Sequence, residues 1–381
     1  MAQMEKIKFL SEIEAPALSI DGQEVATKQE VENIVGDVSV VKPGAGEYSV
    51  QTESTNAIGD YSTALGFNTV ASGTGSHAEG NNTKSMGDSS HAEGVSVVAG
   101  GVASHAEGTS NNKATDINAD ILTLSDEEII KLWEGEGLFD RKPFALAKGI
   151  ASHIEGNSCL ALGVYSHAEG DSTKAQGKRS HAEGSYTFAS GMYSHAEGNS
   201  TKSMGESSHA EGASVVASGR AAHAEGYNTE ASGINSHAEG ASVVAGGEES
   251  HAEGFMTIAG GEDSHAEGQK TEATGPASHA EGVDSKATDM GAHAEGLATI
   301  AASAYQHAQG KYNIEDKAGL YAHIIGNGTE DKRANAYTLD WSGNSWQQGA
   351  VEAAAIILTS PNGTRYKITV ADDGTLTTQG V

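Results

Sequence analysis

The placement of the 16 histidines constrains this chain more than any other feature. His77, His91 and His105 stand 14 residues apart, the same spacing runs without a break from His153 to His307, and His323 follows 16 residues later. Regularity of this kind marks a solenoid, in which each repeat packs only against its neighbours. Around each histidine the unit reads Ser-His-Ala-Glu-Gly, as at Ser76-His77-Ala78-Glu79-Gly80. A more variable half follows, such as Thr83-Lys84-Ser85-Met86-Gly87 or Thr229-Glu230-Ala231-Ser232-Gly233. Both halves obey one seven-residue template: small, any, small, any, Gly, then two linking residues.

Alternation with period two is a strand signal, and the fifth-place glycine supplies a sharp corner. Each unit is therefore read as one coil of two short strands and two turns. The first and third places of each half point inward, because they hold Ser, Thr, Ala or Val and only small side chains fit between two backbones so close together. Cys159, at one such place, is a small filler rather than a reactive thiol. Composition agrees: 49 residues are Gly and aromatics make up 5%, too few large side chains for one globular core. Coils stacked ~4.8 Å apart give a rod of roughly 75–80 Å. Its file of Ala and Ser offers too little apolar surface to offset the ordering entropy, so lateral association is expected.

The partner's position follows from variability between coils. The outward places of the first half are almost always His and Glu, whereas those of the second half wander: Lys84, Val98, Lys174, Phe188, Glu230. A face that never changes must meet something equally repetitive, and identical chains around a parallel axis are the simplest such partner. The expected homotrimer interface is thus His77, Glu79, His91, Glu93, His167, Glu169, His195, Glu197, His237, Glu239, His265 and Glu267. Facing carboxylates are expected to raise the histidine pKa values.

Between His105 and His153 the spacing grows by 34 residues. Here Ser125-Asp126-Glu127-Glu128 forms a capping box, followed by Ile129, Leu132 and Trp133 at helical spacing. The sequence predicts a peripheral helical insertion at residues 112–146 that folds back on Leu160 and Leu162, with Ile129, Leu132 and Trp133 as candidate receptor contacts. Ile154 and Ile324 take inward places that hold Ala elsewhere, each where stacking is expected to be interrupted. Residues 1–47 lack the repeat and read as an attachment module ending in a linker at Pro43-Gly44-Ala45-Gly46. Residues 48–328 form the repeat domain. Residues 329–381, with turn signals at Ser342-Gly343-Asn344, Pro361-Asn362-Gly363 and Asp372-Asp373-Gly374, form a C-terminal antiparallel β cap.

The early coils, Asn56-Ala57-Ile58-Gly59-Asp60-Tyr61-Ser62-Thr63-Ala64-Leu65-Gly66, resemble the head repeats of trimeric autotransporter (YadA-like) adhesins, over about residues 53–310. The resemblance implies an all-β fold, a left-handed parallel β-roll of 14-residue coils assembled as a homotrimer. The Ser-His-Ala-Glu-Gly form, with Tyr321-Ala322-His323-Ile324-Ile325-Gly326-Asn327-Gly328 and the segment 335–346, is more similar to tail-fibre and appendage proteins of phages and prophages of Firmicutes. That likeness implies a structural fibre of a tail or injection particle, joined to tail or baseplate proteins through the N-terminal module and binding a host-surface glycan or protein. No export signal, long stalk or C-terminal membrane barrel is visible, which departs from the adhesin pattern.

With 23 Lys+Arg against 52 Asp+Glu, the formal charge of -29 disfavours nucleic acid and anionic lipid. No 18-residue apolar run is present to insert in a membrane. His-x-Glu pairs project from one strand face, so axial metal rings at His77, His91, His105, His167 and His181 are one reading. Metal sites, however, are few and individually supported, and this pair recurs in coil after coil. The favoured expectation is a structural ladder with no metal or cofactor. A glycosidase needs one carboxylate pair in unequal environments, and periodic identical carboxylates single out none. A non-enzymatic fibre of the virion is expected, with a bacterial surface adhesin and a polysaccharide-degrading tailspike as alternatives.

Overall fold

The computed structural model describes residues 17–20, 23–27, 42–52, 54–110, 119–134, 144–349, 356–371 and 374–380. Its body is an all-β solenoid of about 18 turns. Each coil holds a five-residue strand beginning at the histidine, such as His77–Asn81, and a two-residue strand, such as Lys84–Ser85. Like residues pair in parallel register from coil to coil: His77 with His91, His91 with His105, Lys84 with Val98. Two parallel ladders result, a long-strand sheet and a 16-stranded sheet of short strands.

The third-place alanines, Ala78, Ala92 and Ala106, are completely buried. First-place serines contribute more than small size. Ser90 Oγ donates to Gly87 O at 2.6 Å and bonds Ser85 Oγ at 2.6 Å, and the same closure of the corner recurs at Ser104, Ser166, Ser180 and Ser194. These bonds satisfy the buried hydroxyls of those serines. Cys159 is fully buried, donates to Glu155 O at 3.3 Å, and has its thiol pKa pushed up by burial.

The glycines of both halves lie too close to a carbonyl of the next coil to carry a β-carbon, and they differ in backbone conformation. Gly80 has φ 114°, open only to a residue without a β-carbon. Gly87 lies outside that region, but a β-carbon there would fall on the carbonyl oxygen of Gly101 in the next coil. Left-handed corners are made by other residues, Asn82 at φ 57° and Ser89 at φ 55°. The strain recurs in every coil and is offset by continuous ladder bonding.

The roll begins earlier than the sequence suggests. Lys42–Pro43 pairs antiparallel with Val50–Gln51, and Ala45 N donates to Ala57 O at 2.7 Å, so the Gly-rich stretch is the first corner rather than a linker. Upstream, Ala17–Ile20 and Gln23–Thr27 form an antiparallel pair. At the far end Tyr321–Asn327 stacks in parallel on His307–Lys311 and then pairs antiparallel with Asn335–Asp340, which pairs with Ser345–Gln347. This reversal covers the last open edge. A separate antiparallel sheet follows, Ile356–Thr359, Arg365–Val370 and Leu376–Gly380.

Among its described residues the insertion carries a 3-10 turn, Ala119–Thr123, and a helix, Asp126–Glu134. Its capping box is formed: Ser125 N donates to Glu128 Oε2 at 2.8 Å, and Glu128 N to Ser125 Oγ at 3.3 Å. The helix docks where expected, with Ile129 and Trp133 in one core with Val98, Phe144, Leu146, Leu160 and Leu162. Trp133 Nε1 donates to Phe144 O at 3.0 Å, and Lys148 Nζ reaches Asp126 Oδ1 at 2.9 Å. The boundary at 146 needs correction: Ala145–Ala147 is a short strand of the roll, paired with Val97–Ala99 and Leu160–Ala161.

Stacking at Ile154 is also uninterrupted, since it pairs in register with Ala106 and Ala168. Ile154 shares one buried core cluster with Ala145, a smaller residue than the Val97 it pairs with in the adjacent coil. Ile324 does lie at the rod's end, fully buried between Ala308 and Thr338.

Candidate functional site

In-register strands turn the 14-residue spacing into a column of imidazoles. From His77 to His323 each ring lies 4.6–4.9 Å from the next, centroid to centroid. A column of carboxylates runs beside it. His77 Nε2 lies 3.5 Å from Glu79, His91 4.0 Å from Glu93, His167 4.0 Å from Glu169, and His195 and His237 each 3.8 Å from Glu197 and Glu239. Toward the C-terminal end the pairing shifts by one coil. Glu267 approaches His279 at 3.7 Å instead of His265, Glu281 approaches His293, and Glu295 approaches His307. Each carboxylate thus sits between two coils and can serve either.

The paired histidine side chains are 34–41% exposed, yet their Nε2 atoms are shielded from solvent and make no hydrogen bond within the chain. The face is half-buried, repetitive and short of hydrogen-bond partners, an incomplete state for polar atoms.

The electrostatic expectation is reversed. Burial, followed by neighbouring histidines, holds the pKa of His105, His237 and His323 below the usual imidazole value, and His195 is lowered by burial and His181. His167 is lowered to about 4 by burial, His153 and His181. The glutamates act in the raising direction but come later among the causes. Sequence spacing reveals the His-x-Glu pair within a strand, whereas the ring-on-ring contact between coils arises only on stacking. At neutral pH these five histidines are neutral, so the contacts of His167, His195 and His237 with Glu169, Glu197 and Glu239 are charge–dipole rather than ionic.

Three groups bring ligand atoms within 4.8 Å of one another: His167, Glu169 and His181; Glu267, His279 and Glu281; and His293, Glu295 and His307. Of the residues considered as metal rings, His167 and His181 come together, whereas His77, His91 and His105 form no such group among the described residues. The candidate receptor contacts in the insertion are corrected: Ile129 is fully buried, Trp133 is 7% exposed, and Leu132 packs against the same core, so the helix turns this face to the roll. Sequence reading missed an exposed column at the corner before each Ser-His-Ala-Glu-Gly unit. There Arg179 lies between Tyr165 and Tyr193, 5.7 and 5.5 Å from their ring centroids, an arrangement readable in the 14-residue spacing of these three.

No curated protein matches the chain. The YadA head domain repeat matches in two copies at residues 57–83, so the first coils of the roll carry YadA-like head repeats.

Proposed function

We propose that the chain is the shaft of a homotrimeric attachment fibre, without catalysis of its own, carried on a phage tail or related injection particle. In this reading the N-terminal module joins tail or baseplate proteins and the fibre binds a glycan or protein on the host surface. The observation that carries the proposal is the His–Glu face. It keeps the same His and Glu from His77/Glu79 to His293/Glu295, is half-buried in a single chain, and is lined by imidazole nitrogens without hydrogen-bond partners. Two further copies around a parallel axis would present the same period and complete those bonds. The carboxylates favour no single catalytic pair, because each repeats the environment of its neighbours.

Light scattering or native mass spectrometry is expected to give close to three times 39.0 kDa. A folded monomer refutes the assembly. The YadA repeat at residues 57–83 favours a second reading, a bacterial surface adhesin. Immunodetection on purified particles supports the tail fibre, and detection on cells alone supports the adhesin.

A further inference from the structure

The variable half of the repeat ends in glycine in every coil from Gly59 to Gly275, because a β-carbon at this place would fall on a backbone carbonyl of the next coil. The next two residues of that column are Asp289 and Ser303, and Lys317 follows in the lengthened last coil. All three line one open cavity of about 400 Å³, together with Tyr305, Gly319 and Trp341. The array abandons its own rule where a pocket forms, and a volume of this order is that of a small-molecule site.

The two aromatics are presented rather than buried: Tyr305 is 65% and Trp341 54% exposed. In the column that holds the Tyr165–Arg179–Tyr193 stack, Tyr305 is flanked by Gly291 and Gly319, with φ 60° and 68°. The phenol ring lies against Gly291, where a β-carbon would meet it, and Gly319 places no side chain over it. Trp341 arrives from the capping hairpin, fixed by its indole N–H to Gly319 O at 3.1 Å. Asp289 Oδ1 accepts the Met290 amide at 2.8 Å, and Lys317 pairs with Glu315 at 3.3 Å.

We infer that this cavity is a sugar-binding subsite for an uncharged pyranose unit of a surface glycan. Tyr305 and Trp341 supply flat apolar surface with polar edges for the C–H face of the ring. Asp289 accepts from hydroxyl groups and Lys317 donates to them, both through charge-assisted bonds. The ligand is neutral because Lys317 is already balanced by Glu315 and the chain's formal charge of -29 repels an acidic sugar. The inference deepens the attachment reading and rests on it.

The test titrates the intact protein with glucose, galactose and N-acetylglucosamine oligosaccharides, and with sialyllactose and oligogalacturonate as acidic counterparts, followed by tryptophan fluorescence and saturation-transfer NMR. A neutral oligosaccharide is expected to bind. Trp341→Ala and Asp289→Gly are expected to weaken it about tenfold or more, while Trp346→Phe leaves it unchanged. Asp289→Gly restores the residue the other coils use, so misfolding does not explain its loss. The subsite is overturned if no neutral sugar binds, if only acidic sugars bind, or if Asp289→Gly and Trp341→Ala match the wild type. Host-surface adhesion that survives Asp289→Gly unchanged also overturns it and leaves the attachment reading intact. A wild-type protein that adheres to no host surface overturns both.

Discussion

Acidification is expected to destabilise the roll through the histidine column. Two imidazolium charges 4.8 Å apart, the usual ring spacing along the column, repel by about 0.9 kcal/mol at the dielectric of water and about 3.5 kcal/mol at an effective value of 20. These side chains are more than a third exposed, so the lower figure applies. Burial adds to the repulsion and heads the causes that depress His105, His167, His195, His237 and His323. A folded pKa below the unfolded value of about 6.5 means that the unfolded chain binds more protons. The resulting stability is present above the unfolded pKa and is lost as pH falls toward the folded one, about 4 for His167.

Discounted for screening, ~0.5–1 kcal/mol for each of these five residues amounts to a few kcal/mol per chain. The melting temperature is expected to drop by about 3–6 °C between pH 7.5 and pH 5. Protonation also relieves up to 16 of the 29 net negative charges, and the glutamates at 3.5–4.0 Å favour it, but at these five residues burial and neighbouring histidines outweigh them. Circular-dichroism melts at constant ionic strength, in chelator, measure the effect. A flat profile, or a melting temperature that rises toward pH 6, refutes the neutral-column argument.

Three further outcomes follow from the packing. Ala145→Val is expected to cost about 1–3 kcal/mol beside Ile154 and to be rescued by Ile154→Ala, a coupling that a double-mutant cycle in denaturant reads directly. Gly205→Ala is expected to unseat its coil, because its β-carbon would fall on Gly219 O, whereas Gly260→Ala meets only ordinary contacts and is expected to be neutral or to stabilise by about 0.4–1 kcal/mol; thermal melts separate the two. Replacing residues 112–143 with a short turn is expected to preserve the roll if Leu160 and Leu162 are made polar, while Trp133→Ala alone loosens the docked helix by about 3–5 kcal/mol, measured by hydrogen exchange over residues 119–134.

The solenoid, its inward places and the docking of the insertion were legible in the sequence because each rests on a short-range rule repeated many times. His77, Ala78 and Glu79 alternate across a strand wherever that strand lies, and Ser125 with Glu128 caps a helix whatever it packs against. Leu160 and Leu162 were anomalous within their own column, which marked the landing place of the helix.

The sign of the histidine shifts, the surroundings of Ile154, the inward turn of Trp133 and the cavity beside Asp289 were decided by tertiary structure. Each depends on what lies one coil above or on the opposite strand. His153 and His181 press on His167 only after coils stack. Ala145 joins the core cluster of Ile154 only when the insertion's exit strand rejoins the roll. Trp341 meets Lys317 and Tyr305 only after the capping hairpin folds back against the last coils. Sequence spacing determined which side chains share a face, since strand alternation is local. Their electrostatic and steric consequences were set by through-space distances near 4.8 Å between residues 14 positions apart, which exist only in the stacked roll.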